Sequence, residues 1–534
     1  MSNILKKIDE FGNTHYLNVV NIDNEKLNSL TVLYDENQLK SEHLNDLLFL
    51  AENKYIDAKT EYIKSDNDLK NLYEIDILGE GGQGVVYKTK NADTVIKIAL
   101  KNELPIKNKE DIEAFRQKIK NLIHKPLPND MNIAKPLSLL KDEAGYVMNL
   151  LDGMYPFAEL LPQELSKEKA NTLKIPTFLQ TLEENDKRSA IYFTHYLQTG
   201  GLRKRLYALS RLAIVLYRLH SRGVVYFDIS HNNIFINNDD IPLVYLIDAD
   251  NIEYESTNRD IIYTPGFEVP EFIKEEPNTT YSDIYAFGIL GFLTLTMKDP
   301  FSGKAYEEDL EDGKSIKKDN FELPWIGSSS DPSNQANQIL NNFSSKNKQN
   351  YILTKELYNL FNNLFENGTN NKYKRPTLPI WIESLEKAAS WTLLCPSCEM
   401  SYYEDLDNCP YCDKEKPKRL VVNSYYYKDD EKQQIRWQYI KEISENTKKI
   451  ELPSYIFKTL DVLKIDDIFL EIKFPNKSRI ELSFDKTDED IFFESKTPIR
   501  VLTKRVGLEK FEKGVSMIIK SSNITTLVEI KIEQ

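Results

Sequence analysis

Cysteine is scarce in this sequence. Its 534 residues hold only four, at 395, 398, 409 and 412. A disulfide framework is therefore excluded over nearly the whole chain, and a reducing, cytoplasmic setting is expected. Positive charge is also short. Lys and Arg number 69 against 83 Asp and Glu, a formal net charge of −14. That balance argues against a general nucleic-acid binder and against a protein drawn to anionic membranes. Long apolar runs are missing too: the longest, around 285–297, is too short to cross a bilayer and reads as a buried helix. The opening MSNILKKIDEFGN turns polar at once, so no secretory signal is expected. No internal repeat or long low-complexity tract stands out. The expected partners are proteins, with no nucleic acid and no membrane. The length suffices for three or four domains with a sizeable core.

What the chain does have is a series of short motifs in a fixed order. LGEGGQGVVYK (78–88) satisfies GxGxxG with Gly79, Gly81 and Gly84. Glycines let backbone approach phosphate oxygens and adopt angles that a Cβ forbids. The pattern alone is ambiguous, since dinucleotide-binding folds use it before a helix, and a lone match is more often a hairpin turn. Here the following Val85-Val86-Tyr87 reads as a strand, which favours a flap over a strand-to-helix turn. Lys97 lies in the β-type run TVIKI. Either it snorkels to water, or it is a cation for nucleotide phosphates. In the second case it calls for a carboxylate from the next helix, expected over 109–124 from Ile112, Phe115, Ile119, Leu122 and Ile123 at helical spacing. Glu113 is the best-placed candidate, but Gln117 and Lys118 occupy the stretch where an acid is wanted.

Asp228 and Asn233, five apart in VVYFDISHNNIFI, and Asp248 after LVYLI all stand at the ends of β-type runs. A single such residue is ordinary turn chemistry. Together, and after a glycine-rich loop and a strand lysine, they supply a carboxylate to accept a hydroxyl proton and two ligands for magnesium.

With these motifs the chain resembles eukaryotic-like protein kinases over roughly residues 72–390. The resemblance implies an α+β, bilobal kinase fold that uses ATP and Mg2+. It makes Asp228 the base and places Gly79, Gly81, Gly84 and Lys97 on the phosphates, with Asn233 and Asp248 on magnesium. Leu78, Val86, Met148, Asn149, Leu151 and Phe235 would line the nucleotide pocket. Met148 resembles the gatekeeper, followed by the adenine-binding hinge. TPGFEVPE (264–271) resembles the end of an activation segment, with Glu271 and Arg375 as a buried pair, and Asp283 resembles the aspartate that anchors the catalytic loop. The departures are specific. HRD reads Tyr226-Phe227-Asp228, without the arginine that receives an activation-segment phosphate. DFG reads Asp248-Ala249-Asp250, and Ser230 replaces the lysine two residues beyond the base. Similar changes occur in a bacterial kinase group that carries a cysteine motif after the kinase domain. That group also suggests a cognate phosphatase or another protein partner.

The cysteines form CPSC–x10–CPYC. Two C-x2-C knuckles with a short spacer place Cys395, Cys398, Cys409 and Cys412 around one tetrahedral Zn2+. A redox dithiol is the rival, but it needs one pair only. Four thiolates leave no open position, so the ribbon reads as a structural staple, with docking as the alternative role.

Four regions are expected: 1–70, an N-terminal extension with an amphipathic stretch at Leu44, Leu47, Leu48 and Leu50; 71–390, the kinase; 391–418, a zinc ribbon and linker; and 419–534, an all-β sandwich or small barrel. Within the kinase, 160–202 reads as an insertion and 302–350 as a polar loop region. The leucines at 206, 209, 212, 216 and 219 mark a long amphipathic helix. A hairpin turn is expected at 474–477. The basic clusters 203–205 and 414–419 read as solvated faces or linker. The β module shows no catalytic constellation and is expected to bind a protein or peptide.

The function expected is transfer of the γ-phosphoryl group of MgATP to Ser/Thr hydroxyls of protein. Two rivals stand beside it: an ATP-binding pseudokinase scaffold, and a kinase-fold enzyme acting on a small molecule.

Overall fold

The architecture is that of a computed structural model. It describes three strands within the first 72 residues. From 73 to 534 it describes all residues except 82–83, 90–92, 102–103, 126, 128–129, 141–142, 257–263, 312–320, 336–351, 458–466, 477, 485–489, 495–496, 499–502 and 521–523. Strands β1 (Asn3–Ile8), β2 (Thr14–Ile22) and β3 (Ile56–Lys59) form an antiparallel sheet with β2 central. The amphipathic stretch expected at 44–50 lies outside the described residues.

The first lobe is an antiparallel sheet of β4 (Tyr73–Gly81), β5 (Gly84–Thr89), β6 (Thr94–Lys101), β7 (Ser138–Leu139) and β8 (Gly145–Asn149), in the order β4-β5-β6-β8-β7. Leu104–Pro105 pairs with the end of β6. The glycine-rich motif is the β4–β5 hairpin, with Gly81 opposite Gly84. Strand β6 is central, so Val95, Ile96 and Lys97 are all buried. Helix α1 (Lys109–Ile123) is capped by the Asn108 side chain, which accepts from the Glu110 N–H. It buries Ile119 and Leu122, and Phe115 stacks on Tyr146.

The second lobe is helical. Helix α2 (Lys187–Gln198) starts on an Asp186 cap, and α3 (Gly201–His220) follows at once. All five leucines at 206, 209, 212, 216 and 219 are fully buried, as a 3.6-residue period requires. Within the 160–202 stretch, Leu179, Phe193 and Tyr196 join the same apolar core as α3. Helix α4 (Thr280–Thr296), closed by a Thr279/Ser282 capping box, is buried on nearly every side. The expected polar loop at 302–350 also holds core residues: Trp325 and Ile326 are buried between α4 and the 357–365 helical segment. Helix α5 (Leu378–Ser390) packs along α3.

Hairpin β11 (Thr392–Leu394) and β12 (Ser401–Tyr403) opens the cysteine segment, with β9 (Ile234–Ile236) and β10 (Val244–Leu246) lying earlier, in the helical lobe. Beyond it stand two antiparallel sheets. One runs β14 (Glu431–Glu442), β13 (Arg419–Lys428), β22 (Thr525–Glu533), β21 (Val515–Lys520), β18 (Asp490–Phe493), β19 (Thr497–Pro498). The other runs β15 (Lys449–Pro453), β16 (Ile468–Asn476), β17 (Arg479–Phe484), β20 (Thr503–Gly507). Alternate residues of both, such as Leu420, Val422, Leu470 and Ile472, enter one apolar core. A hairpin does join β16 to β17, with Asn476 paired to Arg479; Lys477 of the turn expected at 474–477 lies outside the described residues.

The basic cluster at 203–205 is not a solvated face. Arg205 is fully buried, donating to the carbonyls of Leu160, Tyr196 and Gly201 and lying over the Tyr196 ring at 3.8 Å. In the second cluster Arg419 is buried and pairs with Glu404 and Glu533. Periodicity of apolar residues could not reveal this, because a guanidinium with several carbonyl acceptors can be buried at a polar position. Among the described residues no helix is long and apolar enough to cross a membrane.

Candidate active site

Lys97 sits mid-strand on β6, with Val86 of β5 and Tyr146 of β8 as its register partners. The glycines around it clear its path. A Cβ on Gly84 would lie 2.9 Å from Lys97 Cε, and one on Gly145 would lie 2.7 Å from the Lys97 carbonyl oxygen. Gly79 meets no such limit, and Leu78 beside it is exposed at the rim. The Lys97 ammonium is buried and donates to Asp248 Oδ1 at 2.8 Å and to Asp250 Oδ1 at 3.2 Å. Burial alone would lower its pKa, but the Tyr146 phenol, Asp250 and Asp248 outweigh that and hold it well above the usual lysine value.

Glu113 does not reach Lys97. Its side chain is 77 % exposed and lies 3.7 Å from Arg116. Helix α1 turns Phe115 and Ile119 toward Tyr146, which leaves position 113 facing water, and Gln117 bonds Asn121 instead. The acids that meet the lysine are Asp248 and Asp250 instead.

The two carboxylates respond differently to one shared ammonium. Burial would raise the pKa of Asp250, yet Lys97 overrides it and holds Asp250 below the usual value. Asp248 is raised, because burial and the neighbouring Asp250 exceed what Lys97 returns. Asp248 is also the more open of the two, with its side chain 24 % exposed against 10 %. Its backbone is held in the left-handed region at φ 52°, which turns the carboxylate out of the β10 direction.

Asp228 stands after the short strand Val224–Val225. Both preceding amides are claimed: the Tyr226 and Phe227 N–H groups donate to Asp283 at 2.8 and 3.0 Å, and His220 Nε2 lies 2.8 Å from the same side chain. Phe227 sits at φ 74°, a left-handed turn that reverses the chain just before Asp228. The Asp228 carboxylate accepts from Asn233 Nδ2 at 2.8 Å and from the Thr264 hydroxyl, and Asn251 Nδ2 is 3.5 Å away. Asn233 gives its amide hydrogens to Asp228, so its carbonyl oxygen is the end left for a cation. The carboxamide oxygen of Asn233 and the carboxylate of Asp248 are hard-oxygen donors, which suit Mg2+.

Val86, Met148 and Leu151 come together in one apolar cluster with Val95, Leu150 and Ile247. Asn149 ends β8 opposite Thr94 and is exposed, and Leu150 N–H bonds the Asp93 carbonyl. Phe235 is half-buried on β9 opposite Tyr245. The tip of the glycine-rich loop, 82–83, lies outside the described residues. Farther down, Arg375 and Glu271 form a buried pair at 2.9 Å.

Sequence reading missed Asp250, Tyr146 and Ile247, and missed that the Thr264 hydroxyl meets Asp228. The signal present was the polar run Asp248-Ala249-Asp250-Asn251 directly after a strand, where one acid is enough for a metal and the second calls for a separate explanation.

The four cysteines lie apart from this cleft, with every ligand sulfur within 4.8 Å of the others. Cys395 and Cys412 Sγ are 3.5 Å apart, as are Cys398 and Cys409, too far for disulfides. Tetrahedral zinc with Zn–S near 2.3 Å needs sulfur edges of about 3.8 Å, so the donor set fits one such ion.

Residues 180–382 match the family described as the protein kinase domain. Serine/threonine-protein kinase D2 of Rattus norvegicus and that of Mus musculus are each 23% identical to this chain over 315 residues, 57% of it and 31% of the relative. The Homo sapiens protein of the same description is 23% identical over 270 residues, 48% of this chain and 26% of its own length. The chain thus spans about a third of the curated relatives it matches. The family match covers Asp228, Asn233 and Asp248 but not Lys97, whose place in the site rests on its bonds to Asp248 and Asp250. Residues 180–382 are thus similar to a protein kinase domain, and they lie within an α+β architecture.

Proposed function

We propose that this chain transfers the γ-phosphoryl group of MgATP to Ser or Thr hydroxyls of protein substrates. One observation carries the reading. Asp228 already accepts a hydrogen bond from a threonine hydroxyl while, across the cleft, the Lys97 ammonium is held at Asp248. A carboxylate that takes a hydroxyl proton and a fixed cation for phosphate are the two parts that transfer demands of the protein.

In this reading the β4–β5 hairpin covers the phosphates through Gly79, Gly81 and Gly84. Lys97 neutralises phosphate charge, and Val86, Met148, Asn149 and Leu151 receive the base. Asn233 and Asp248 would hold magnesium, which supplies charge neutralisation between the phosphates when bound. Asp228 orients the attacking hydroxyl and accepts its proton as the oxygen–phosphorus bond forms. The bond from the γ-phosphorus to its bridging oxygen breaks, and ADP departs. The rate then comes from positioning and electrostatics.

The division of labour proposed is an extension at 1–70, the kinase at 71–390, a zinc ribbon and linker at 391–418, and a partner-binding β module at 419–534. Four thiolates around Zn2+ would close a structural site. A bacterial group with a cysteine motif after its kinase domain shows similar substitutions. A protein partner, such as a cognate phosphatase, is proposed for the β module, and a cytoplasmic setting for the whole. The test is mass spectrometry of the products after purified protein is incubated with MgATP and a protein mixture. Phosphoserine or phosphothreonine supports the reading. ATP binding without transfer would replace it with a scaffold, and a modified metabolite with a small-molecule enzyme.

A further inference from the structure

The Lys97 ammonium is almost fully buried and cannot sit there without a counter-charge. Helix α1 carries three acids, and none is available. Asp111 pairs with Lys101 at 3.0 Å, Glu113 lies beside Arg116, and Glu110 is exposed in the first turn. The face of α1 that meets β8 is apolar, with Phe115 stacked on Tyr146. Two carboxylates remain, Asp248 and Asp250. They are not equivalent. Asp248 faces the cleft, where a nucleotide-bound cation would draw on its charge. Asp250 lies deeper, and its Oδ1 is also 3.4 Å from the Tyr146 hydroxyl. Tyr146 in turn is the strand neighbour of Lys97, with its ring centroid 5.9 Å from the ammonium.

Resting on the kinase reading, we infer that Asp250 is the residue that positions Lys97 for phosphate, the acid having moved from helix α1 to the segment that follows Asp248. Because both carboxylates come from the 248–251 turn, one short turn carries the metal ligand and the lysine anchor. Placement of Lys97 is then tied to that turn rather than to movement of α1. Loss of Asp250 leaves Asp248 as the sole partner of the ammonium, so Lys97 and magnesium compete for one carboxylate. A residue with only a packing role would not alter the magnesium requirement.

The test measures MgATP affinity of the full-length protein by calorimetry across a magnesium titration, with phosphoryl transfer followed in parallel. Asp250→Asn is expected to weaken MgATP binding by roughly tenfold or more, the loss expected when a charged hydrogen-bond partner is removed, and to move the magnesium midpoint upward. Asp250→Glu should recover part of both. If Asp250→Asn does not fold, as judged by its melting transition, Asp250→Glu decides: it should bind MgATP more weakly than wild type and need more magnesium. Wild-type affinity and an unchanged magnesium midpoint in Asp250→Asn would overturn the inference. So would an Asp250→Glu variant indistinguishable from wild type in both affinity and magnesium midpoint. Neither result touches the kinase reading, which fails separately if the wild-type protein binds MgATP but transfers no phosphate, or if Asp228→Asn transfers at the wild-type rate.

Discussion

Arg203 of α3 and Glu442 of β14 meet as a two-pronged ion pair, with Nη1 donating to Oε2 at 3.1 Å and Nη2 to Oε1. The same guanidinium donates through Nε to the Thr392 hydroxyl at 2.7 Å, and the Arg203 N–H donates to the Ser401 hydroxyl at 3.0 Å. Glu442 also accepts from the Leu394 N–H. One arginine thus ties the helical lobe, the cysteine hairpin and the β module. A second tie lies along α5, where Glu386 accepts from Arg211 at 2.9 Å and from the Tyr455 hydroxyl at 3.2 Å. Removing one member of such a pair strands a buried charge and costs about 3–5 kcal/mol. Arg203→Ala or Glu442→Gln should lower the denaturant midpoint and open 391–534 to limited proteolysis. Replacement of both by methionine should be milder than either single change. Unchanged midpoints in both single variants would show that the pair does not hold the modules together.

The same pair predicts an acid-sensitive junction. Burial pushes the Glu442 carboxyl up, but Arg203 and the Leu394 amide pull it below its usual value. A depressed folded pKa means that the unfolded chain binds the proton more readily. The contribution of Glu442 is therefore complete above the unfolded value of 4.5 and is lost as pH falls through the folded one. Stability of the wild-type protein should fall more steeply below that pH than stability of Glu442→Gln. Thermal melts from pH 7 down to about 3 would read the difference, and parallel curves would remove Glu442 from the acid response.

Chemistry at the cleft separates binding from transfer. Asp228→Asn should abolish autophosphorylation while leaving MgATP affinity nearly unchanged, since a base acts mainly at transfer. Lys97→Met and Asp248→Asn should lose activity through misplaced phosphate and metal. Three variants phosphorylating at the wild-type rate would refute the site assignment.

At the cysteine cluster, purified protein should carry about one zinc per chain, because four thiolates complete one tetrahedral site. Cys395→Ser with Cys398→Ser should lose the metal and loosen the β11–β12 hairpin, while MgATP binding survives in its separate cleft. Elemental analysis showing iron, or no metal, would sink this prediction.

Much of the site was legible because its chemistry requires particular residue types at fixed order: glycines, a strand lysine, then Asp228, Asn233 and Asp248. The amphipathic α3 was legible for the simpler reason that its leucines keep one period. Three things were hidden. The acid for Lys97 lies 153 residues away in sequence and comes from Asp250, so the search along α1 at Glu113 looked in the wrong element. The cluster at 203–205 reads as surface because composition cannot show that carbonyls and Glu442 await the guanidinium groups. Trp325 and Ile326 were masked by their polar neighbours, since two buried residues create no periodic signal.

The last prediction concerns regulation. A phosphate that orders an activation segment needs a free cationic partner. Phe227 fills the position where an arginine would serve, and its side chain is buried. Lys125 is a cation at the start of the segment, and it is engaged. Its ammonium meets Glu253 at 2.6 Å and lies 4.6 Å from the Tyr254 ring centroid. A phosphate on Tyr254 or Ser256 would enter beside the carboxylates of Glu253 and Glu255, where like charge opposes it. Thr257 and Tyr263 lie outside the described residues. Phosphorylation of this segment is therefore not expected to be the main switch. Ser256→Ala with Thr257→Ala should keep protein-kinase activity within a few-fold of wild type, read as initial rates on one protein substrate. An enzyme that phosphatase treatment silences, and that recovers only as this segment is rephosphorylated, would show that another basic residue has taken over the arginine's task. Lys125 released from Glu253 is the first to examine, by Lys125→Met in the same assay.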